Sequence, residues 1–220
     1  MTITLAEEIM LLSLDDESGS AQQRQAASWA VAGGILLELV LAGRVSVDGK
    51  FLEMTDTAPT GDPLLDSRTA LIEPWLLRGR GRRRVTAWLT KDQPKAVTAT
   101  LESLCARGVV VEEKHKALGM FPIRRYPEAD GAVERELRDR LRAVVLDGAE
   151  PDVRTASLIA LVHSAKLHRL AFPDSPRKQV VARMEEVAAG QWAAEGIRTA
   201  IRDMQAAMLV VTVAAITACV

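Results

Sequence analysis

Aromatic residues are scarce in this chain and make up 4% of its 220 residues. A core with so few rings must be built mainly from Leu, Val, Ile and Ala, which favours packed amphipathic helices over a β-sandwich. About half of the residues are apolar (48%) and 26% are charged, an ordinary globular composition. The composition therefore predicts a mainly α-helical chain, with one domain over residues 1–220 as the default and two small domains as the alternative. Together with the local patterns of the sequence it predicts a single globular domain built on a buried helix bundle, with surrounding amphipathic helices and two short β-hairpins.

Cysteine and membrane-targeting signals are also scarce. Cys105 and Cys219 are too far apart to form a ligand-spaced pair, which argues against a disulfide framework or a zinc knuckle. The N-terminus has no basic start and no apolar run of signal-peptide length, so we expect a cytoplasmic protein. Residues 206–220 carry no charge but fall short of the roughly 20 residues that cross a bilayer, and we expect a buried closing helix there.

Motifs that carry catalysis are missing from the sequence. It has no nucleophile elbow, no phosphate-loop lysine and no glycine-rich dinucleotide turn. Of its three histidines, His163 and His168 are five residues apart, which would place them on different sides of one helix. We therefore predict no enzymatic activity, no cofactor and no metal site.

The acidic and basic residues are unevenly distributed along the chain. Residues 1–77 contain 4 Lys or Arg against 12 Asp or Glu, whereas residues 78–126 contain 12 against 4. In a folded protein the second segment can create a positive surface that attracts phosphate groups of lipid or nucleic acid.

Local signals predict several elements of the fold. Thr4 and Glu7 have the spacing of a helix capping box. The nearly uncharged residues 26–42 indicate a buried central helix whose Gly33 and Gly34 allow close helix approach.

Residues 44–54 alternate around an Asp-Gly pair, which is typical of a β-hairpin. Prolines preceded by polar residues mark helix starts, and we predict that helices begin at Pro63, after an Asp62 cap, and at Pro94.

The strongest cationic feature is a run of arginines between two tryptophans. Guanidinium groups bind phosphate oxygens through paired hydrogen bonds, so the run is a candidate contact for an anionic surface; a solvated mobile loop is the alternative. Trp75 and Trp88 only flank the run, without the interleaved aromatic platform of nucleic-acid binding, and we expect no nucleic-acid partner. The arginines are Arg78, Arg80, Arg82, Arg83 and Arg84.

A second hairpin is predicted over residues 114–125, where cations flank an apolar tip. Such a tip can enter a lipid interface while the cations meet head groups. Alternatively, the tip packs on the core or on a second copy of the chain. The cations are Lys114, Lys116, Arg124 and Arg125, and the apolar residues are Leu118, Met120 and Phe121.

Several sequence blocks, in this order, resemble the Golgi phosphoprotein 3 family. They are LAEE (5–8), GILLEL (34–39), APTGDPLLD (58–66), AVVLD (143–147) and RTASLIAL (154–161). The resemblance implies a mainly helical domain that binds phosphatidylinositol 4-phosphate membranes peripherally, with a β-hairpin in the region 114–126 that aids membrane contact or oligomerisation. The extended N-terminal tail of eukaryotic members is missing, which indicates a bacterial member.

The family's eukaryotic head-group pocket uses a tryptophan, an arginine and two further basic residues. In an ungapped register these positions are Gln23, Ala32, Pro94 and Val97 here, so none of the four carries over. We therefore predict a peripheral adaptor that binds anionic phospholipid through the arginine run and the second hairpin. A protein-interaction or oligomeric scaffold is the alternative. The lipid prediction requires that these cations lie on one exposed side beside apolar residues.

Overall fold

The computed structural model describes the chain in six ranges. These are residues 3–14, 21–79, 81–117, 121–129, 131–189 and 195–217, of which 21–24, 114–117, 121–124, 195–198, 200 and 212–217 are described through their backbone only. The elements are α1 (Leu5–Leu14), α2 (Ala21–Leu41), β1 (Val45–Asp48), β2 (Phe51–Met54), α3 (Pro63–Leu77), β3 (Arg83–Arg84), α4 (Val85–Ala106), β4 (Glu113–Ala117), β5 (Phe121–Arg125), α5 (Ala132–Val145), α6 (Val153–Ser164), α7 (His168–Ala171), α8 (Arg177–Ala188) and α9 (Glu195–Thr217). The predicted mainly α-helical fold with two hairpins is confirmed.

The central helix of the bundle is α2. It packs against α1, α4, α6 and α9, and most of its described side chains are buried. A Cβ atom on Gly34 would lie 3.0 Å from the backbone nitrogen of Ala6, and one on Gly33 would lie 2.7 Å from the sulfur of Met208. The two glycines therefore allow α1 and α9 to approach α2 closely, as predicted.

Helix α1 begins with the predicted capping box. The Thr4 N–H donates to Oε2 of Glu7 at 2.6 Å, and the Glu7 N–H donates to the Thr4 hydroxyl at 3.3 Å. Leu5, Ile9 and Leu12 then face the core. Because the reciprocal bonds satisfy two otherwise free amides, the chain can begin a helix with its first turn fully buried.

The first predicted hairpin is present and gains a third strand. Strands β1 and β2 pair antiparallel, with Asp48 opposite Phe51 across a turn made by Gly49 and Lys50. Gly49 has a φ of +60°, which glycine adopts without steric cost. Strand β3 pairs with β2 and so attaches the chain between α3 and α4 to the hairpin.

Helix α3 begins where the sequence predicted. The Asp62 carboxylate accepts hydrogen bonds from the N–H groups of Leu64 and Leu65 at 2.9 and 3.1 Å, and Pro63 occupies the first helical position. The cap and the proline together define this helix start.

The predicted helix start at Pro94 is wrong, because α4 begins at Val85 and contains Pro94 in its interior. The Val85 N–H donates to the Lys50 carbonyl at 3.0 Å, which ties the helix start to the first hairpin. Trp88 and Leu89 are fully buried before the proline is reached. Burying two such side chains stabilises by roughly 3–6 kcal/mol, which offsets the roughly 3 kcal/mol cost of an interior proline.

Helix α9 has one buried and one exposed side. Met204, Met208 and Val211 are buried, whereas Leu209 and Val210 are 52% and 58% exposed. The predicted buried closing helix is therefore correct for one face only, and residues 218–220 lie outside the described ranges. None of the helices within those ranges combines the length and apolar character that crossing a bilayer demands.

An ion-pair cluster joins α1 to α2, α5 and α6; it consists of Glu8, Glu38, Arg140 and Arg154. Oε1 of Glu8 accepts from Arg140 at 2.7 Å and from Nε of Arg154 at 3.1 Å. Arg154 also donates to Oε1 of Glu38 at 2.8 Å, and the other oxygen of Glu38 accepts the Leu5 N–H at 2.7 Å. One arginine thereby connects the starts of α1 and α6 with the last turn of α2.

The turn after α6 contains Lys166 in a left-handed conformation, with a φ of +59°. Its N–H donates to the His163 carbonyl, and the Leu167 N–H donates to the Val162 carbonyl. This is the hydrogen-bond pattern of a Schellman motif, which usually has glycine at this position.

We expect Lys166→Gly to raise the free energy of unfolding by roughly 0.5–1 kcal/mol, because glycine adopts this φ without strain. Urea denaturation measures the change. Lys166→Ala is the control: it removes the same charge but keeps the strain, so a gain as large as that of Lys166→Gly would contradict the explanation.

Candidate functional site

Residues 78–84, called the arginine segment below, link α3 to α4. Helix α3 ends at Leu77, and Gly81 then takes a φ of +89° that lets the chain reverse before β3. Because Arg84 lies opposite Phe51 in the β2–β3 ladder, the segment is attached to the first hairpin at its end. Arg80 lies outside the described residues.

Two carboxylates compensate the charge of Arg82. Its Nη2 donates to Asp48 at 2.5 Å and to Glu53 at 2.7 Å, and its guanidinium lies 4.4 Å from the centre of the Phe51 ring. The hydrogen bond to Asp48, followed by that to Glu53, raises the pKa of Arg82. Arg82 therefore stabilises the sheet and contributes little free charge to a phosphate site.

Arg83 packs on aromatic rings. Its guanidinium lies 4.6 Å from the centre of the Trp75 ring, and Trp75 lies 5.2 Å from Trp88 at an interplanar angle of 59°. A guanidinium over an indole face is stabilised by the ring quadrupole. The stack holds the arginine segment against the ends of α3 and α4, so the flanking tryptophans have a structural role here.

Arg78 and Arg84 remain exposed, and within the described ranges neither forms an ion pair. Arg78 follows the last turn of α3 and Arg84 caps α4 through its backbone. The hairpin turn adds Lys50, an exposed cation 5.6 Å from the Phe51 ring, that was not among the predicted residues. Lys50 lies near the arginine segment because β2 pairs with β3. The predicted turn had already placed Lys50 at the tip of the hairpin.

The second predicted group of cations follows the opposite end of α4 along the chain. Arg84 precedes the first residue of α4, and β4 begins only after its last residue, Ala106. A helix of 22 residues is about 33 Å long. The two groups therefore adjoin opposite ends of α4 along the chain, and their predicted common surface stays a prediction.

The β4–β5 hairpin itself is present, with Lys114 opposite Arg124 and His115 opposite Ile123 in antiparallel register. Arg125 is exposed and lies opposite Glu113. Leu118 and Met120 lie outside the described residues, as do the side chains of Lys114, Lys116, Phe121 and Arg124. The predicted membrane-contact or oligomerisation role of this hairpin stays a prediction.

The two late histidines contact each other, so the prediction that they lie on different sides of one helix is wrong. Helix α6 ends after His163, the chain turns at Lys166, and the His168 ring comes to 5.6 Å from the His163 ring, edge to face. Burial lowers the pKa of His163, and burial, followed by the charge of His163, lowers the pKa of His168 to about 4. The pair is neutral near pH 7 and is part of the core. In the part of the chain that the structure describes, no three metal-binding side chains cluster.

The four positions that correspond to the eukaryotic head-group pocket carry no basic residue here. Ala32 is buried, Val97 is half-buried and Pro94 is exposed; the side chain of Gln23 lies outside the described part. Charge near these positions comes from Lys91 and Lys95, both exposed on α4. Their neighbour Asp92 forms a buried ion pair with Arg68 at 3.0 Å, which fixes α3 to α4.

The sequence is similar to those of known proteins. The family described as Golgi phosphoprotein 3 (GPP34) matches residues 5–204. A relative, vacuolar protein sorting-associated protein 74 of Eremothecium gossypii, is 26% identical over 170 residues, which cover 66% of this chain and 50% of the relative. The chain thus spans about half the length of this relative, and the bacterial origin suggested above stays a prediction. Since the family match extends over most of the chain, the protein belongs to the Golgi phosphoprotein 3 family.

Proposed function

We propose that this protein is a peripheral, non-enzymatic adaptor of the cytoplasm that binds anionic phospholipid surfaces through the arginine segment. Membership of the Golgi phosphoprotein 3 family and a relative named for vacuolar protein sorting support a membrane-associated role. The resemblance implies phosphatidylinositol 4-phosphate as one such lipid.

The observation that carries this proposal is the pair of exposed arginines, Arg78 and Arg84, that have no ion-pair partner within the described chain. Arg82 and Arg83 are bound within the protein, by carboxylates and by Trp75 respectively. Two of the described arginines of the segment therefore fix its backbone, and the side chains of the other two are available to bind phosphate. Near an acidic leaflet each available cation contributes about 1 kcal/mol.

The charge of this surface fits head-group phosphates without requiring a closed pocket. Arg78 and Arg84 are solvent-exposed side chains, and the positions of the eukaryotic pocket lack its arginine and tryptophan. We therefore infer that the protein responds to the density of negative charge in the leaflet more than to one head group.

Vesicle flotation tests the proposal. The full chain is mixed at low salt with vesicles of phosphatidylcholine alone, with added phosphatidylglycerol, or with added phosphatidylinositol 4-phosphate. We expect binding to both anionic types and none to the neutral type. Arg78→Gln with Arg84→Gln should weaken binding by roughly 30-fold, since two contributions of about 1 kcal/mol are lost.

The matched control changes the same net charge elsewhere. Arg142 and Arg169 are exposed arginines on α5 and α7, which pack against α1, α6 and α8. Arg142→Gln with Arg169→Gln should bind anionic vesicles nearly as well as the unaltered protein. Equal losses in the two double variants would show that net charge alone matters, and indifference of the unaltered protein to all vesicles would refute the lipid proposal.

A further inference from the structure

The end of helix α3 exposes a large apolar side chain beside the arginine segment. Leu77 is 78% exposed, and the next most exposed large apolar residue in the described ranges is Val210 at 58%. The buried face of α3 includes Leu65, Thr69 and Ile72. Leu77 lies on the opposite face of α3, one helical turn after Glu73, which is also exposed. The contact between α3 and the core therefore leaves Leu77 uncovered.

The arginine segment is held close to this leucine. A Cβ atom on Gly79 would collide with Nε of Arg83, and Arg83 in turn stacks on Trp75 of the same helix. The backbone of β3 is therefore fixed against the last turn of α3. This places the end of the arginine segment close to the last turn of α3, at whose end Leu77 and Arg78 are exposed.

We propose that Leu77 inserts into the edge of the hydrocarbon layer of an anionic leaflet while Arg78 and Arg84 bind the head-group phosphates. This inference rests on the proposed lipid function and adds the residue that would hold the protein on the membrane once charge has brought it there. The combination of an exposed apolar side chain with uncompensated cations matches a lipid interface, which is apolar below a layer of phosphates. A soluble polyanion or a nucleic acid uses the cations and leaves Leu77 in water.

Glu73 limits the extent of the contact. It lies one helical turn before Leu77 on the exposed face of α3, and a carboxylate is repelled by an anionic leaflet. The membrane contact is therefore confined to the C-terminal end of α3 and the arginine segment, with the helix axis tilted away from the bilayer.

Leu77→Asn and a matched control on the same helix test the insertion. Leu71 is 43% exposed and lies farther from the arginine segment, so Leu71→Asn makes the same chemical change outside the contact. With the full chain and vesicles of phosphatidylcholine and phosphatidylglycerol, we expect Leu77→Asn to weaken partitioning about tenfold and Leu71→Asn to leave it unchanged. The loss should persist at high salt, which screens the arginines but not the apolar contact. Thermal unfolding of both variants checks that the fold is intact.

The outcomes separate this inference from the proposed function. If the unaltered protein binds and Leu77→Asn binds equally well, the insertion is wrong and the electrostatic function stands. Equal losses in the Leu71 and Leu77 variants also overturn the insertion, since the effect is then not local. If the unaltered protein binds no vesicles, the proposed function fails and the insertion fails with it. The same holds if it binds only an oligonucleotide, with an affinity that Leu77→Asn does not change.

Discussion

Replacing Arg154 with methionine is expected to lower the free energy of unfolding by roughly 3 kcal/mol. The arginine donates to Glu8 at 3.1 Å, to Glu38 at 2.8 Å and to the carbonyl of Ile3. Glu8 is 3% exposed, so its charge would be left with Arg140 as its remaining ion-pair partner. This value is at the lower end of the roughly 3–5 kcal/mol lost when a buried ion pair is broken, because the Arg154 side chain is itself 26% exposed.

Urea denaturation of the unaltered protein and the variant measures this effect. Arg183→Met is the control, because Arg183 pairs at 2.9 Å with Glu186, whose side chain is 67% exposed, and its other hydrogen bonds, to the carbonyls of Val144 and Ala149, are long at 3.3 and 3.5 Å. Loss of an exposed pair of this kind should cost less than about 1 kcal/mol. Similar losses in the two variants would contradict the view that burial makes the Arg154 cluster important.

The pH dependence of the Arg154 effect identifies its cause. Burial raises the pKa of Glu38, and the hydrogen bond and charge of Arg154 oppose that rise. Without the arginine the pKa of Glu38 should rise further above its value in the unfolded chain. A carboxyl whose folded pKa is raised gains stability as the pH falls through that pKa. The deficit of Arg154→Met should therefore shrink in mild acid, whereas a deficit caused by lost packing would stay constant.

Several residues of the blocks that carry the family resemblance meet in this cluster. Three of the blocks that carry it contribute Glu8, Glu38 and Arg154, which meet in the structure. A fourth contributes Asp62, which caps α3 and also pairs with Arg107, a partner of Glu7. These motif residues hold the helices together. The resemblance therefore identified the fold correctly, while it left the ligand-binding surface to be argued from other residues.

Local chemistry was the part of the fold that the sequence could predict. The capping box at Thr4, the Asp62 cap and the turn at Gly49 depend on atoms a few residues apart, so their signals are contained in short segments. Pro94 was misread because a proline is favoured at a helix start, whereas α4 begins nine residues earlier through tertiary contacts: the burial of Trp88 and Leu89 and the Val85 N–H bond to the Lys50 carbonyl.

The candidate site was harder to predict because its charges depend on distant partners. Arg82 is compensated by Asp48 and Glu53, which are 34 and 29 residues away in the chain. A count of cations along the sequence therefore overestimates the free positive charge of the arginine segment. It also cannot show that Leu77 is left uncovered, since that depends on which face of α3 meets the core.

His168 should make the protein less stable in mild acid. Its side chain is 7% exposed, and burial, with the nearby charges of His163, Arg177 and Lys166, lowers its pKa to about 4. An unfolded chain binds the proton near pH 6.5. Because the folded pKa is the lower one, the stabilisation is complete above about pH 6.5 and is lost as the pH falls towards 4. From these two values we expect a loss of about 2 kcal/mol between pH 7 and pH 5.

A pH series of urea denaturation with His168→Gln isolates this contribution. Glutamine does not titrate, so the variant should lose less stability than the unaltered protein between about pH 7 and pH 5, by about 2 kcal/mol. Carboxylates titrate in both proteins, and subtracting the two curves removes their effect. Glu185 faces His163 and favours its protonated form, so Glu185→Gln should leave the His168 difference in place. A difference between the two proteins that stays constant over this pH range would show that the folded protein does not hold His168 neutral.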